Sequence, residues 1–372
     1  MENDLLYQLA LSKVPGIGPA HARKLIRHFG EAKPIFQAGR PLLKKVCGSG
    51  DRADAIVQFD EFQDVEKEQS FLEKYAMRPL FITDKDYPQR LLNCEKAPIL
   101  LFYKGNANLN NTKIIAVVGT RSPTEYGKQA AAMLMKDLAS SGMLIISGLA
   151  YGVDAIAHQS ALDNGLPTVG ILGHGLDQIY PQENAPLARR MVQQGGLLTQ
   201  FNIGSSPENY NFPIRNRLVA AMSDALIVIE TASRGGSMLT VNNALEFNKK
   251  VFAFPGRIND LKSSGCNALI CSGKARLLTG AQQFMEDMKW VEPAKNPEVR
   301  QAALFPTPSD ERHLSEEEKK VLQLLRKKGS LSLDELAAAS NQRSGPLSMA
   351  LLNLELQGWI DARPGKRYQL RE

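Results

Sequence analysis

Apolar residues recur at helical spacing through the first 75 positions. Leu5, Leu6, Leu9, Ala10 and Val14 make one set and Ala22, Leu25, Ile26 and Phe29 another, which predicts amphipathic helices. A strongly charged helix is expected over about Asp51 to Tyr75. The texture then changes: Phe81-Ile82-Thr83 and Leu100-Leu101-Phe102-Tyr103 read as strands, with Asp86-Tyr87-Pro88 as a turn between them. From Lys113 the pattern is strand, loop and helix in repetition. Ile114 to Val118, Leu144 to Ile146, Thr168 to Leu172, Leu197 to Thr199, Ala225 to Ile229 and Val251 to Phe254 are short apolar, partly β-branched runs with polar helical stretches between most of them. Such alternation predicts an α/β fold, a doubly wound parallel sheet with helices on both faces. Its ligand site belongs at the carboxyl ends of the strands.

Prolines at positions 293, 297, 306 and 308 mark a linker over 291–313. Beyond it Ser315 and Glu318 are spaced as a capping box, and Val321, Leu324 and Leu325 supply the apolar side of the helix it opens. Further helices are expected over about Leu333 to Ala339 and Pro346 to Gln357, then a hairpin over Trp359 to Tyr368. Three helices and a hairpin at 314–372 suggest a winged helix. The expected division is therefore a helical region at 1–75, the α/β domain at 76–290, the linker and the winged helix.

The chain has 372 residues, 43% of them hydrophobic, enough for two or three domains. Its formal charge of +6, from 45 basic and 39 acidic side chains, is a mild bias towards an anionic partner. Cys47, Cys94, Cys266 and Cys271 have neither C-x-x-C nor zinc spacing, so a reducing, cytoplasmic setting is expected, without a metal. Met1-Glu2-Asn3-Asp4 carries acid where a signal peptide needs positive charge, and no apolar run approaches the roughly 20 residues of a membrane span.

Four loops hold the candidate chemistry. Gly119-Thr120-Arg121 follows a predicted strand: the glycine admits an anion to the backbone, Thr120 and Ser122 offer hydroxyls, and Arg121 offers a fork for phosphate. Neither G-x-G-x-x-G nor G-x-x-x-x-G-K-[ST] occurs there, which argues against NAD or ATP as cofactor. Ser147-Gly148-Leu149-Ala150-Tyr151-Gly152-Val153-Asp154 occupies the same position after the second parallel strand. Gly148 and Gly152 can present amides there, and Tyr151 is either a base-stacking surface or a packed aromatic. Asp154 and His158, four apart, would share a helix face as an acid/base pair or as structural groups. His174, between two glycines, is a ligand contact or a turn residue. Arg215, Asn216 and Arg217 project about 100° apart on a helix, so at most two face one phosphate track; Asn216 and one arginine are expected there. Gly235-Gly236-Ser237 opens another helix and makes an N-terminal anion cup. Near the start, Val14-Pro15-Gly16-Ile17-Gly18-Pro19-Ala20 has the helix-hairpin-helix pattern, a DNA phosphate contact or a plain turn. The crevice loops hold few carboxylates and no metal-ligand cluster, so binding is expected rather than catalysis.

In their order along the chain these residues resemble the DNA-processing protein A family (DprA, also called Smf). The resemblance rests on Val118 to Arg121 with Tyr126-Gly127, Ser147 to Ala150 with Gly152-Val153-Asp154 and Ala157-His158, Gly173 with Tyr180-Pro181 and Asn184, Phe212-Pro213 with Arg215-Asn216-Arg217, and Gly236-Ser237 with Thr240 and Phe254-Pro255-Gly256. It implies an extended Rossmann-like domain that binds single-stranded DNA and loads the RecA recombinase in natural transformation, between a helix-hairpin-helix or SAM-like region and a winged helix. It also implies a homodimer formed through the Rossmann domain, with single-strand-binding protein as a further partner. Arg121 is then the phosphate contact, with the loops carrying Gly119, Thr120, Ser147, Gly148, Arg215, Asn216, Arg217, Gly236 and Ser237 around it. Two departures stand out: Tyr151 replaces a basic residue, and Gly235 a serine or alanine.

Residues 312–372 hold 11 Lys or Arg against 8 Asp or Glu, but the expected third helix has no basic residue. Asn353 is its candidate for base edges, while Arg363, Lys366 and Arg367 could touch phosphate. Two rivals remain. A nucleotide phosphoribohydrolase-like enzyme would need a Pro-Gly-Gly-x-Gly-Thr-x-x-Glu loop, whereas Arg234 to Thr240 lacks the proline and the later glycine. A duplex-binding regulator would need a basic recognition helix.

Overall fold

A computed structural model describes residues 4–291, 314–340, 344–363 and 365–370. The proposed linker falls almost wholly outside them. The chain divides into two compact units, Met1–Met288 and Lys289–Glu372.

The first unit opens with six helices: α1 (Asp4–Lys13), α2 (Pro19–Phe29), α3 (Lys33–Gln37), α4 (Arg40–Cys47), α5 (Gly50–Val57) and α6 (Phe62–Lys74). Pro19 takes the first position of α2 behind Gly18, as its fixed φ and missing N–H allow. The charged helix expected over Asp51 to Tyr75 is two helices. Phe59 lies in the break and stacks on Phe62 and Phe36.

The α/β part follows in the order β1 (Arg78–Phe81), β2 (Leu100–Gly105), β3 (Ile114–Val118), α7 (Glu125–Asp137), β4 (Leu144–Ser147), α8 (Val153–Asp163), β5 (Thr168–Leu172), α9 (Ala185–Gln194), β6 (Gly196–Thr199), α10 (Asn211–Met222), β7 (Ala225–Val228), α11 (Ser237–Glu246), β8 (Lys250–Ala253), α12 (Ser264–Cys271), β9 (Arg276–Leu277) and α13 (Ala281–Met288). The nine strands form one sheet in the order β1-β2-β6-β5-β4-β3-β7-β8-β9. Pairing is parallel from β6 to β9 and antiparallel where β1, β2 and β6 meet. The two-residue β9 is too short to show an apolar run, so the hydrophobic pattern gives no sign of it.

Side chains alternate across the sheet with a period of two. Phe81 and Phe102 enter the core shared with the N-terminal helices, and Leu80, Leu101 and Tyr103 enter the core on the opposite face. Leu9, Leu25 and Leu43 of the helices pack in the same cluster as Phe102 and Leu197. Hydrogen bonds reinforce that junction: buried Arg23 donates to the carbonyls of Leu91 and Leu92 at 2.8 and 3.0 Å, and Glu68 accepts from the Ile203 amide at 3.1 Å while pairing with Lys13. The helical region thus shares its core with the sheet.

The second unit contains α14 (Glu316–Lys328), β10 (Leu331–Ser332), α15 (Leu333–Ser340), α16 (Ser344–Leu356), β11 (Ile360–Arg363) and β12 (Arg367–Leu370), with a three-stranded sheet in the order β10-β12-β11. This is a winged helix around Val321, Leu325, Leu347, Leu351 and Leu354. Ser315 and Glu318 form the reciprocal capping box. The other carboxylate oxygen of Glu318 accepts from the Asn353 amide at 3.2 Å. The residue suited to base edges on α16 is therefore engaged within the fold.

Ser315→Ala removes the hydroxyl that accepts from the Glu318 amide and should lower the stability of this unit by about 1 kcal/mol. Urea unfolding followed by Trp359 fluorescence would show the shift.

Candidate nucleic-acid interface

The chain leaves β3 on one side towards β4, β5 and β6, then returns to place β7 on the other side of β3. This reversal splays the loops apart at the strands' carboxyl ends, where a crevice opens in a doubly wound sheet. A cavity of about 520 Å³ lies there, lined by loops after β3, β4 and β7 and by the first turns of α10 and α11. Gly119, Thr120, Arg121, Gly148, Arg215, Asn216, Gly236 and Ser237 all line it.

The glycines are where backbones meet. A Cβ at Gly119 would press on Val153 of α8 and on the Glu230 carbonyl, and one at Gly148 would overlap the Arg215 guanidinium. At Gly152 φ is +75°, which glycine adopts without strain. The Val153 amide donates to the Thr120 carbonyl at 3.1 Å, and the Thr120 amide to the Glu230 carbonyl at 2.7 Å. The Gly119-Thr120-Arg121 loop is thereby tied to both α8 and β7. On the far wall Gly236 precedes α11 in an open position. Ser237 donates through its hydroxyl to Thr231 at 2.7 Å. First-turn amides lack helical acceptors, so this end favours an anion.

Arg121 is exposed, with its guanidinium 5.8 Å from the centre of the Phe212 ring. Arg215 lies at the same distance from that ring but is buried. It donates to the Ile171 carbonyl at 3.0 Å and stands beside the buried carboxylate of Asp154. Asp154 accepts from the Gly148 and Ala150 amides at 3.2 and 3.3 Å, fixing the loop after β4. Burial pushes the Asp154 carboxyl above its ordinary range, against the opposing effect of Arg215, and pulls Arg215 down against that of Asp154.

His158 is no acid/base partner for Asp154. Its Nδ1 lies 2.6 Å from the Thr168 hydroxyl, which itself donates to the Ile145 carbonyl, so Nδ1 carries the proton. Nε2 is buried without a partner among the described residues. Burial, with Arg215 nearby, pushes the imidazole down to about 3. His174 is the turn residue: its two nitrogens engage the Gly175 carbonyl and the Tyr180 amide.

Three expected site residues are not in the cavity lining: Ser147, Arg217 and Tyr151. Ser147 is buried and donates to the Val117 carbonyl at 2.6 Å. Arg217 points to the other side of α10, where it makes a bidentate pair with Glu246 at 2.8 and 2.9 Å and lies 4.7 Å from the Phe247 ring centre. The 100° step along the helix gives Arg215 and Asn216 to the crevice and Arg217 to α11. Tyr151 lies in a smaller annex with Tyr180, Phe212 and Arg121, and its hydroxyl donates to Glu183 at 2.6 Å.

Two contributors to the site are not predicted from the sequence. Phe212 carries both guanidiniums, although in the sequence it figures only as part of the motif that carries the resemblance and not as a site residue. Glu230 is fully buried and accepts from the amide and hydroxyl of Thr124, both at 2.8 Å, anchoring the start of α7. A carboxylate directly after an apolar strand is its only signal.

A doubly wound α/β domain whose switch-point crevice presents amides, hydroxyls and one exposed arginine belongs to the class of anion-binding Rossmann-like proteins. The family model of DNA recombination-mediator protein A matches residues 78–289, and that of the DprA winged helix domain matches residues 305–366. The chain belongs to the DNA recombination-mediator protein A family. Protein Smf of Synechocystis is 31% identical over 98% of both chains, and the DNA processing protein DprA of Streptococcus pneumoniae is 38% identical over 56% of this chain and 73% of its own. The X-ray structure of the S. pneumoniae protein superposes with a TM-score of 0.65 at 31% identity, covering 76% of this chain and 96% of that one. A Helicobacter pylori DNA processing protein A structure, described in terms of its single-stranded DNA binding mode, gives a TM-score of 0.53 at 32% identity over 57% and 96% of the two chains. Among the described residues no helix is long and apolar enough to cross a membrane.

The depressed pKa of His158 means that the unfolded chain takes up a proton below about pH 6.5 that the folded chain refuses until about pH 3. Its contribution to stability is complete above the unfolded pKa and falls away as pH drops. The wild type should lose about 2 kcal/mol through this group between pH 7.5 and 5.0. His158→Asn keeps a donor for Thr168 but does not titrate, so urea titrations across that range should show a flatter dependence. Asp154 acts in the opposite direction and is common to both proteins.

Proposed function

We propose that this chain is a non-enzymatic mediator that holds single-stranded DNA in the strand-end crevice and passes it to the RecA recombinase in the cytoplasm during natural transformation. The observation that carries the reading is the state of Arg121. It is exposed at the cavity mouth, forms no ion pair with any described residue, and faces glycine amides and hydroxyls. Its charge is available to a phosphate. Protection from nucleases and exchange with single-strand-binding protein would follow from occupancy of the strand.

Other features support a binding role. Asp154 and Glu230 are buried and engaged by backbone amides, and His158 and His174 are held neutral within the fold. The likeness to the H. pylori protein supports single-stranded DNA as the ligand. All four cysteines are unpaired, in keeping with a reducing compartment. The proposed homodimer through the Rossmann domain finds an apolar surface in the loop after β8, where Ile258 is 94% exposed and Leu261 82%.

Arg121→Ala should weaken binding of a single-stranded oligonucleotide about tenfold and reduce the slope of log affinity against log salt by about 0.7, because one fewer phosphate is neutralised. Arg217→Ala should stay within about twofold of wild type, because Glu246 already holds that arginine. Gel shifts over a salt series test both, and an Arg121→Ala protein that binds like wild type would overturn the reading. On DNA coated with single-strand-binding protein, the same variant should lose any acceleration of RecA filament growth.

Ile258→Glu with Leu261→Glu should convert a dimer to a monomer in sedimentation velocity and leave the melting temperature within a few degrees, since both side chains are exposed in one copy.

A further inference from the structure

We propose that the exposed basic face of α2 and α4 is a second nucleic-acid surface, one that takes the backbone of duplex DNA. Charge is strongly sorted in the helical region. Residues 13–50 carry eight Lys or Arg and a single acid, Glu31, whereas residues 51–75 carry eight Asp or Glu and three basic residues. The sorting follows the structure. Neither α2 nor α4 contains a carboxylate. Three of the basic residues are spent: Arg23 is buried on the Leu91 and Leu92 carbonyls, Lys13 of α1 pairs with Glu68, and Arg40, exposed at the start of α4, pairs with Asp54 of α5. Lys24, Arg27 and Lys45 are exposed and form no ion pair with a described residue. Lys44 is exposed beside the Asp54 carboxylate that Arg40 already holds.

These cations lie on two helices that pack against each other. Lys24 and Arg27 are three apart on α2 and share a face. α2 packs against α4, and Arg52 bridges the two by donating to the Gly16 carbonyl before α2 at 3.3 Å and to the Cys47 carbonyl at the end of α4 at 3.4 Å. Arg52 and Lys24 both act on His21: burial first, then these two charges, hold its imidazole below the usual range. The turn between α1 and α2 lies at one end of this face. Gly16 has φ +76°, and nothing approaches within 4 Å of where a Cβ would stand on Gly16 or Gly18, so a phosphate could reach the backbone there. The cations carry the proposal, and the open turn adds a contact.

The choice of duplex follows from what the face lacks. Unspecific single-strand binding combines a basic track with aromatic stacking platforms. The exposed residues of α2 and α4 include no Phe, Tyr or Trp, and the neighbouring Tyr7, Phe36, Phe59 and Phe62 stack on one another. Fixed cations on two packed helices suit regularly spaced phosphates, and such contacts position a duplex without reading its sequence. The strand-end crevice is a separate site, so the two binding modes separate by mutation.

The test uses the full chain and fluorescence anisotropy with a duplex of about 30 base pairs and a single strand of the same length, over a salt series. Lys24→Glu/Arg27→Glu/Lys45→Glu should weaken duplex binding at least about tenfold and reduce its salt slope by about two to three, while single-strand affinity stays within about threefold. The neutral set Lys24→Gln/Arg27→Gln/Lys45→Gln should show the same pattern more weakly, and covers the case in which the reversal variant does not fold. Lys85→Glu/Lys136→Glu/Lys274→Glu makes the same change in net charge at exposed positions elsewhere in this unit and should leave duplex affinity within about threefold. The proposal is overturned if wild type binds no duplex, if the α2 and α4 variants keep wild-type duplex affinity, or if the control set lowers it equally. Loss of duplex binding in Arg121→Ala alone would place the duplex in the crevice instead, and would also overturn it.

Discussion

The crevice depends on two buried side chains of opposite charge. Arg215 of α10 and Asp154 of α8 lie beneath the loop after β4, where each favours the charged form of the other, and each is bound to backbone: Arg215 to the end of β5 and Asp154 to two amides of the loop. Removing either leaves the other's buried charge less compensated, which is destabilising. Four elements of the site thus share one electrostatic joint. It also explains why Gly148 is glycine, since any side chain there would occupy the space of the guanidinium.

That joint decides which arginine remains for a ligand. Of Arg121, Arg215 and Arg217, the three arginines expected at the site, the fold uses two. Arg215 neutralises Asp154, and Arg217 clamps Glu246 across to α11. Arg121 pairs with no carboxylate among the described residues and rests on the same Phe212 ring as Arg215. Two like charges on one ring raise the local potential at the cavity mouth, and Arg121 disfavours the charged form of Arg215. An anion placed between the loops would relieve that repulsion.

Much of the sheet is legible in the sequence because parallel strands buried on both faces read as continuous apolar runs. Thr168 to Leu172 and Ile114 to Val118 have the bounds expected of them. The break between α5 and α6 is hidden because the determining contact, Phe59 on Phe36, is distant in sequence. The site follows the same rule. Glycines after strands announce the close approaches, and the helical step predicts that Arg215, Asn216 and Arg217 divide. Which arginine faces inward depends on Asp154 and Glu246, partners 61 and 29 residues away. Ser147 illustrates the opposite failure: a hydroxyl at a strand end looks like a ligand contact, but the nearest acceptor is the Val117 carbonyl of the adjacent strand.

The same distinction separates the two ends of the chain. In the winged helix, two of the residues that could have touched DNA are drawn into the fold, since Asn353 bonds Glu318, and Arg367 bonds the Ser330 carbonyl and lies near Glu335, while Arg363 and Lys366 stay exposed. On α2 and α4, Lys24, Arg27 and Lys45 have no ion-pair partner among the described residues, because the acids of that region are concentrated in α5 and α6. A count of basic residues would rank the two regions alike. The distribution of carboxylates among the packed elements does not, because a cation's field reaches a partner only where no nearer acid has neutralised it.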